Sequence, residues 1–123
     1  MRALIVDDSS FIRDYLRQLL HCMGIACEEA VNGSNALEVL AVEKTFDLML
    51  LDVNMPVMNG LECVKALRES HLSPKMKVMM VTTEVDHSSI TTALNHGADE
   101  FLMKPFTPES LREKIALLGL AAA

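Results

Sequence analysis

Nowhere does this chain reach the roughly 20 consecutive apolar residues that a membrane-spanning helix needs. The apolar stretch behind Met1-Arg2 breaks at Asp7, too early for the core of a secretory signal. Basic clusters are missing as well. With 11 Lys and Arg against 17 Asp and Glu, and a formal charge of -6, the chain offers no grouped cations to grip a phosphate backbone, so neither direct nucleic-acid binding nor membrane insertion is expected. Cysteine is sparse: Cys22, Cys27 and Cys63 follow no metal spacing, and an odd number would leave one thiol out of any disulfide framework. Reduced thiols in a soluble, cytoplasmic protein are the expectation. The four histidines show no ligand spacing, and there is no internal repeat, low-complexity stretch or linker. The 123 residues, half of them apolar, make one compact domain over 1–119, followed by an Ala-rich tail at 120–123.

What the chain does contain is a regular alternation. Ala3–Val6 is strand-like, and Ser9 or Ser10 can cap a helix whose Ile12, Leu16, Leu19 and Met23 recur at helical spacing until Gly24. A second strand near Ala26–Glu29 ends at the Asn32-Gly33 turn signal, and Ser34 opens a helix burying Leu37, Leu40 and Ala41. Phe46–Leu51 is apolar almost throughout, as a parallel strand covered on both faces would be. Pro56, Asn59 and Gly60 form a loop before Leu61, Val64 and Leu67 resume helical spacing, and Pro74 ends that connection. Val78–Val81 is a fourth interior strand. Asp86 can cap a helix carrying Ile90, Ala93 and Leu94, with Gly97 at the left-handed position beyond its end. Glu100–Met103 is shorter and more polar, as an edge strand is. Thr107-Pro108 starts a last helix with Leu111, Ile115 and Leu118 inward and Gly119 at its close. Five strand-helix units predict an α/β fold with a doubly wound parallel sheet.

In such a sheet the strand carboxyl ends line one edge, where open α/β folds bind ligands. Asp7-Asp8, Asp52, Thr82 and Lys104 all close or follow apolar runs, and so converge there. Taken singly, each has an ordinary explanation as a cap, a strand-end residue or a surface lysine. Together, three acids about 4 Å apart repel by roughly 4 kcal/mol per pair at an effective dielectric near 20. A hard divalent cation relieves them, and Mg²⁺ is commonly held by one or two carboxylates together with phosphate oxygens. A phosphorylated Asp52 would need further donors, which Lys104 as a point charge and Thr82 as a hydroxyl supply. The Lys104-Pro105 bond is one that can be cis where a tight turn must aim a side chain. The set reads as a phosphorylation switch.

The runs Val6-Asp7-Asp8-Ser9, Leu51-Asp52-Val53-Asn54-Met55-Pro56, Asn59-Gly60, Val81-Thr82-Thr83, Gly97-Ala98-Asp99 and Lys104-Pro105-Phe106, in this order across the whole chain, resemble the receiver domain of bacterial two-component response regulators, of the CheY type. The resemblance implies a flavodoxin-like sheet of order 2-1-3-4-5 flanked by five helices. It implies that Asp52 accepts a phosphoryl group from a sensor histidine kinase or a histidine phosphotransfer protein. Asp8 and Asp52 would ligate Mg²⁺ directly, Asp7 through water, and Asn54 through its main-chain carbonyl. Lys104 and Thr82 would contact the phosphoryl group, and Asn54 and Glu84 would tune water access during self-dephosphorylation. Phe101 stands at the aromatic switch position, often Tyr in chemotaxis proteins. Lacking a hydroxyl, it would couple through packing alone to a surface around the fourth helix, fifth strand and fifth helix.

Such a domain takes part in its own phosphotransfer without being a turnover enzyme. The resemblance implies first a freestanding chemotaxis-type regulator acting on a protein target such as a flagellar-motor switch, with the receiver of a multidomain transcriptional regulator or hybrid histidine kinase as the alternative. A monomer is expected, with phosphorylation-dependent dimerisation as the variant. Two other classes fit less well. A flavodoxin-like cofactor domain needs a glycine- or hydroxyl-rich phosphate loop where Asp7-Asp8 stand, and an aspartyl phosphomonoesterase typically carries a second acid where Asn54 stands.

Overall fold

Strands and helices alternate in the computed structural model, which describes residues 1–43, 45–83 and 87–120. The elements are β1 (Arg2–Val6), α1 (Ser10–Cys22), β2 (Ala26–Ala30), α2 (Gly33–Val42), β3 (Leu48–Asp52), α3 (Gly60–Ser70), β4 (Lys77–Thr82), α4 (His87–Asn95), β5 (Glu100–Met103) and α5 (Pro108–Leu117). All strand pairs are parallel, in the order β2-β1-β3-β4-β5. This is the expected doubly wound sheet, with β5 at an edge.

Strand side chains alternate between faces, and the interior strands are apolar on both. Leu4, Val6, Met49, Leu51, Val78 and Met80 share a core with Ala36, Leu40, Val64, Leu67 and Ala93 of α2, α3 and α4. Ala3, Ile5, Leu48, Leu50, Met79, Val81 and Leu102 share another with Leu16 and Leu20 of α1 and Leu111 and Ile115 of α5. Continuous apolar runs over 3–6, 48–51 and 78–81 are therefore what a sheet covered twice requires.

Several boundaries depart from expectation. The helix expected to open at Ser34 is capped by Asn32, whose side chain accepts from the Asn35 N–H at 2.8 Å, so the Asn-Gly pair begins α2 instead of making a free-standing turn. A Cβ on Gly33 would lie 2.8 Å from Met58 Cγ and 2.9 Å from Cys63 Cβ, so this helix start packs directly on α3. The buried stripe differs in part from expectation: Leu40 and Ala36 are fully buried, while Ala41 is exposed. Phe46 precedes β3 rather than beginning it; its ring is buried beneath the Arg2 guanidinium, 4.6 Å from the ring centre. The Ser9 and Thr107 caps form as expected, and Gly97 has φ +111°. Asp86 lies outside the described residues. The three cysteines are free, and no helix among the described residues is long and apolar enough to cross a membrane.

Gly60, read from sequence as a loop breaker, is the first residue of α3, under an Asn59–Glu62 capping box. Its N–H bonds the Val53 carbonyl at 2.8 Å, and a Cβ there would lie 2.2 Å from the Asp52 carbonyl oxygen. The end of β3 and the start of α3 thus meet backbone to backbone, holding Asp52 rigidly. Gly60→Ala forces that contact apart and is expected to lower unfolding stability by about 1–3 kcal/mol, measured by urea denaturation followed by far-UV circular dichroism.

Candidate functional site

Val6 is paired with Leu51 in the sheet register, so the residues that follow them, Asp7 and Asp52, leave neighbouring strands side by side. Both are buried, Asp7 at 2% and Asp52 at 8% exposure, while Asp8 is exposed. One carboxylate oxygen from each of the three lies within 4.8 Å of the others. Opposite them Lys104, just beyond β5, brings its Nζ to 3.0 Å from Asp7 Oδ2 and 3.6 Å from Asp52 Oδ1. Its main-chain N–H donates to the Thr82 carbonyl at 2.8 Å, which extends the β4–β5 pairing by one step and sets where the lysine stem departs. The Lys104–Pro105 bond is cis.

Asp7 is held twice: its Oδ1 accepts from the Ser9 N–H at 2.9 Å, and its main-chain carbonyl accepts from Arg13 Nη1 at 2.7 Å. Asp52 is held by its main chain. Burial pushes its carboxyl up to about 6; Asp7 and Asp8 push in the same direction, while Lys104 and the Val53 N–H pull it down. At pH 7.5 it is still mostly ionised, and so competent as an oxygen nucleophile.

Three carboxylates against one ammonium leave a surplus of about two negative charges around an oxygen-only donor set. That is the charge and the ligand type a hard divalent cation such as Mg²⁺ takes, and the residues fit it. Asn54, exposed in the loop after β3, lies two residues from Asp52.

Thr82 is the last residue of β4 and is 1% exposed. By strand alternation it belongs to the α4 side of the sheet, and it lines an apolar cleft together with Val53, Met80, Ala93 and Phe101. Phe101 is half-buried at the mouth of this cleft. Packing is not its sole contact: Lys114 of α5 sets its Nζ 4.7 Å from the ring centre, held there by Glu100 at 3.1 Å. Beside its packing contacts, the ring without a hydroxyl therefore has a cation over its face. Glu84 lies outside the described residues.

Sequence reading brought Asp7, Asp8, Asp52 and Lys104 to one point, and the geometry agrees. It missed Arg13 and Lys114, whose only signal was a basic residue on an otherwise apolar-periodic helix, too common a feature to single out.

The raised Asp52 carboxyl sets a pH dependence. Above about pH 6 the folded protein carries a buried charge that the unfolded chain, with an ordinary carboxyl near 3.9, keeps in water. Between those values the folded state takes up the proton first, and below both no difference remains. Asp52→Asn is therefore expected to stabilise the metal-free protein by about 1–3 kcal/mol at pH 7.5, with the gain shrinking as pH falls through 6 and vanishing near 4. Urea unfolding of both proteins in EDTA across that range checks it.

Comparison with known proteins agrees with the geometry. The family model of the response regulator receiver domain matches residues 3–116. A chemotaxis protein CheY homolog of Campylobacter jejuni is 39% identical over 116 residues, covering 94% of this chain and 89% of that protein. Chemotaxis protein CheY1 of Helicobacter pylori is 36% identical over 119 residues, covering 96% of each. Among solved structures, chemotaxis protein CheY4 of Vibrio cholerae superposes with a TM-score of 0.88 at 36% identity, over 95% of this chain and 97% of that one. With nearly the whole described sheet inside the matched segment, the protein belongs to the response regulator receiver domain family.

Proposed function

We propose that Asp52 is the phosphoacceptor of a CheY-type signalling switch, and that Asp7, Asp8, Asp52 and the Asn54 main-chain carbonyl hold Mg²⁺. As a receiver domain, the protein works in two-component signalling between a kinase and a downstream target, and it is not a turnover enzyme. The observation that carries the assignment of Asp52 is its position: a buried carboxylate fixed by a backbone contact at Gly60, flanked by two further acids and 3.6 Å from a lysine.

The chemistry follows from those groups. An Asp52 oxygen attacks phosphorus, forming the new O–P bond as the N–P bond to the donor's imidazole breaks. Lys104, already between Asp7 and Asp52, turns its ammonium toward the incoming phosphoryl oxygens. Mg²⁺, when bound, neutralises charge on the same group. The Asp7 carboxylate stays anchored by the Ser9 N–H and need not reorganise for transfer. Water attack at phosphorus later breaks the Asp52 O–P bond, releasing inorganic phosphate and the free Asp52 carboxylate, with Asn54 and Glu84 tuning access.

Thr82 converts the chemical event into a change of shape. Drawn from the cleft under α4 to bond a phosphoryl oxygen, it leaves room beside Phe101, whose apolar ring gains from deeper burial. The surface of α4, β5 and α5 then changes, and that surface is the output face. The CheY names of relatives aligned over most of their own length support a freestanding cytoplasmic chemotaxis regulator over the receiver of a larger regulator, with the flagellar-motor switch as its target. A monomer carrying one receiver over 1–119 suits this role.

Intact-protein mass after incubation with Mg²⁺ and acetyl phosphate tests the assignment. One phosphoryl adduct is expected, lost in Asp52→Asn and in EDTA, and retained at reduced yield in Thr82→Ala. An unmodified wild-type protein, under conditions that label a known receiver, would sink the mechanism.

A further inference from the structure

Arg13 has no place in the mechanism above, yet its guanidinium bridges three elements. From the first turns of α1 its Nη1 donates to the main-chain carbonyl of Asp7 at 2.7 Å. Its Nε donates to Glu29 Oε1 on β2 at 2.9 Å. The other oxygen of Glu29 is taken by Arg17, whose Nη2 lies at 2.6 Å and Nε at 3.0 Å. The Arg13 side chain is only 15% exposed, and both its bonds are charge-assisted, the stronger kind.

The bonded atom matters more than the contact itself. The Asp7 carbonyl belongs to the peptide plane joining Asp7 to Asp8, so fixing that oxygen fixes the direction in which the chain leaves Asp7. Asp7 itself is secured by burial, by Ser9 and by Lys104. Asp8 is exposed, so its carboxylate is aimed by the main chain and not by surrounding side chains. A guanidinium can hold a carbonyl and a carboxylate from one planar fork; an ammonium has no such fork. Glu29 keeps the fork in register and offsets its charge, and it is itself held ionised: burial pushes its carboxyl up, but the bonds from Arg17 and Arg13 outweigh that and leave it below its ordinary range.

We propose that Arg13 is the positioning residue of the metal site: through the Asp7–Asp8 peptide it aims Asp8 at the Mg²⁺ position, with Glu29 as its brace. The proposal rests on the metal reading of the Asp7–Asp8–Asp52 cluster. Arg13 touches neither phosphoryl group nor metal, so its removal acts on the concentration of Mg²⁺ required and not on the chemical step.

The test is Mg²⁺ binding to the unphosphorylated full chain by isothermal titration, alongside the Mg²⁺ dependence of acetyl phosphate labelling. Arg13→Ala is expected to weaken Mg²⁺ binding about 10-fold or more, the usual effect of losing a residue that orients metal ligands. The labelling rate at saturating Mg²⁺ should return to within about two-fold of wild type. Arg13→Lys should recover part of the affinity, and Arg17→Ala, which loosens Glu29 without reaching Asp7, should stay within about two-fold. Should Arg13→Ala melt below assay temperature, Arg13→Gln and Arg13→Lys are read in its place, with affinity expected in the order Arg, Lys, Gln. A lower melting temperature with unchanged Mg²⁺ affinity would make Arg13 a structural tie only and overturn the proposal, as would an equal affinity loss in Arg17→Ala. A wild-type chain that takes up no Mg²⁺ overturns the metal reading itself, an outcome distinguishable from both.

Discussion

Mutual repulsion among three carboxylates is the constraint around which this molecule is arranged. Their oxygens crowd within 4.8 Å, two of the acids are buried, and the one ammonium beside them among the described residues, that of Lys104, cannot balance them. Such a cluster persists only because the surrounding structure over-determines it: the sheet register sets Asp7 beside Asp52, α3 abuts the Asp52 backbone at Gly60, and Arg13 and Ser9 pin the Asp7 turn. The unrelieved charge is what makes the site responsive. In the proposed switch a cation and a phosphoryl group alter that balance by several charges at once, and Asp52 and Thr82 each close a strand.

The opposite end of the sheet is tied down by a separate set of bonds. Arg68 of α3 donates to the Gly97 and Met76 carbonyls and to Asp99, each at 3.1 Å, and Asp99 in turn accepts from the Val78 N–H at 2.8 Å. Gly97 lies so close that a Cβ there would be 2.5 Å from Arg68 Cγ. The carboxyl end of α4 is thereby tied to α3 and β4 far from the acids, while its side near Thr82 borders the apolar cleft. In the proposed switch, α4 stays anchored at this end as Thr82 moves, which leaves the sheet undisturbed.

Legibility of the sequence varied with how local each signal was. The three interior strands were readable because burial on both faces demands unbroken apolar runs, and Thr107-Pro108 was readable because capping involves only neighbours. The start of α2 was misplaced: Ser34 and Asn32 are both good caps locally, and the choice between them was made by contact of Gly33 with Met58 and Cys63 on α3. Gly97-Ala98-Asp99 could be noticed as a motif, but its purpose depends on Arg68, 29 residues away from Gly97. The acids and Lys104 could be gathered at one edge from strand ends alone, since a parallel sheet leaves them no other place.

The sequence by itself determined the element order, the doubly wound parallel class and the identity of the residues meeting at the carboxyl edge, because apolar periodicity and strand-end position are one-dimensional properties. Only the tertiary structure decided how those residues are held: the crowding and burial that raise the Asp52 carboxyl, the seat of Lys104 between two acids, the placement of Thr82 on the α4 side, the cation over Phe101 and the bracing of the acidic turn by Arg13. Each of these depends on distances between atoms far apart along the chain, and charge interactions and close packing are set by distance in space.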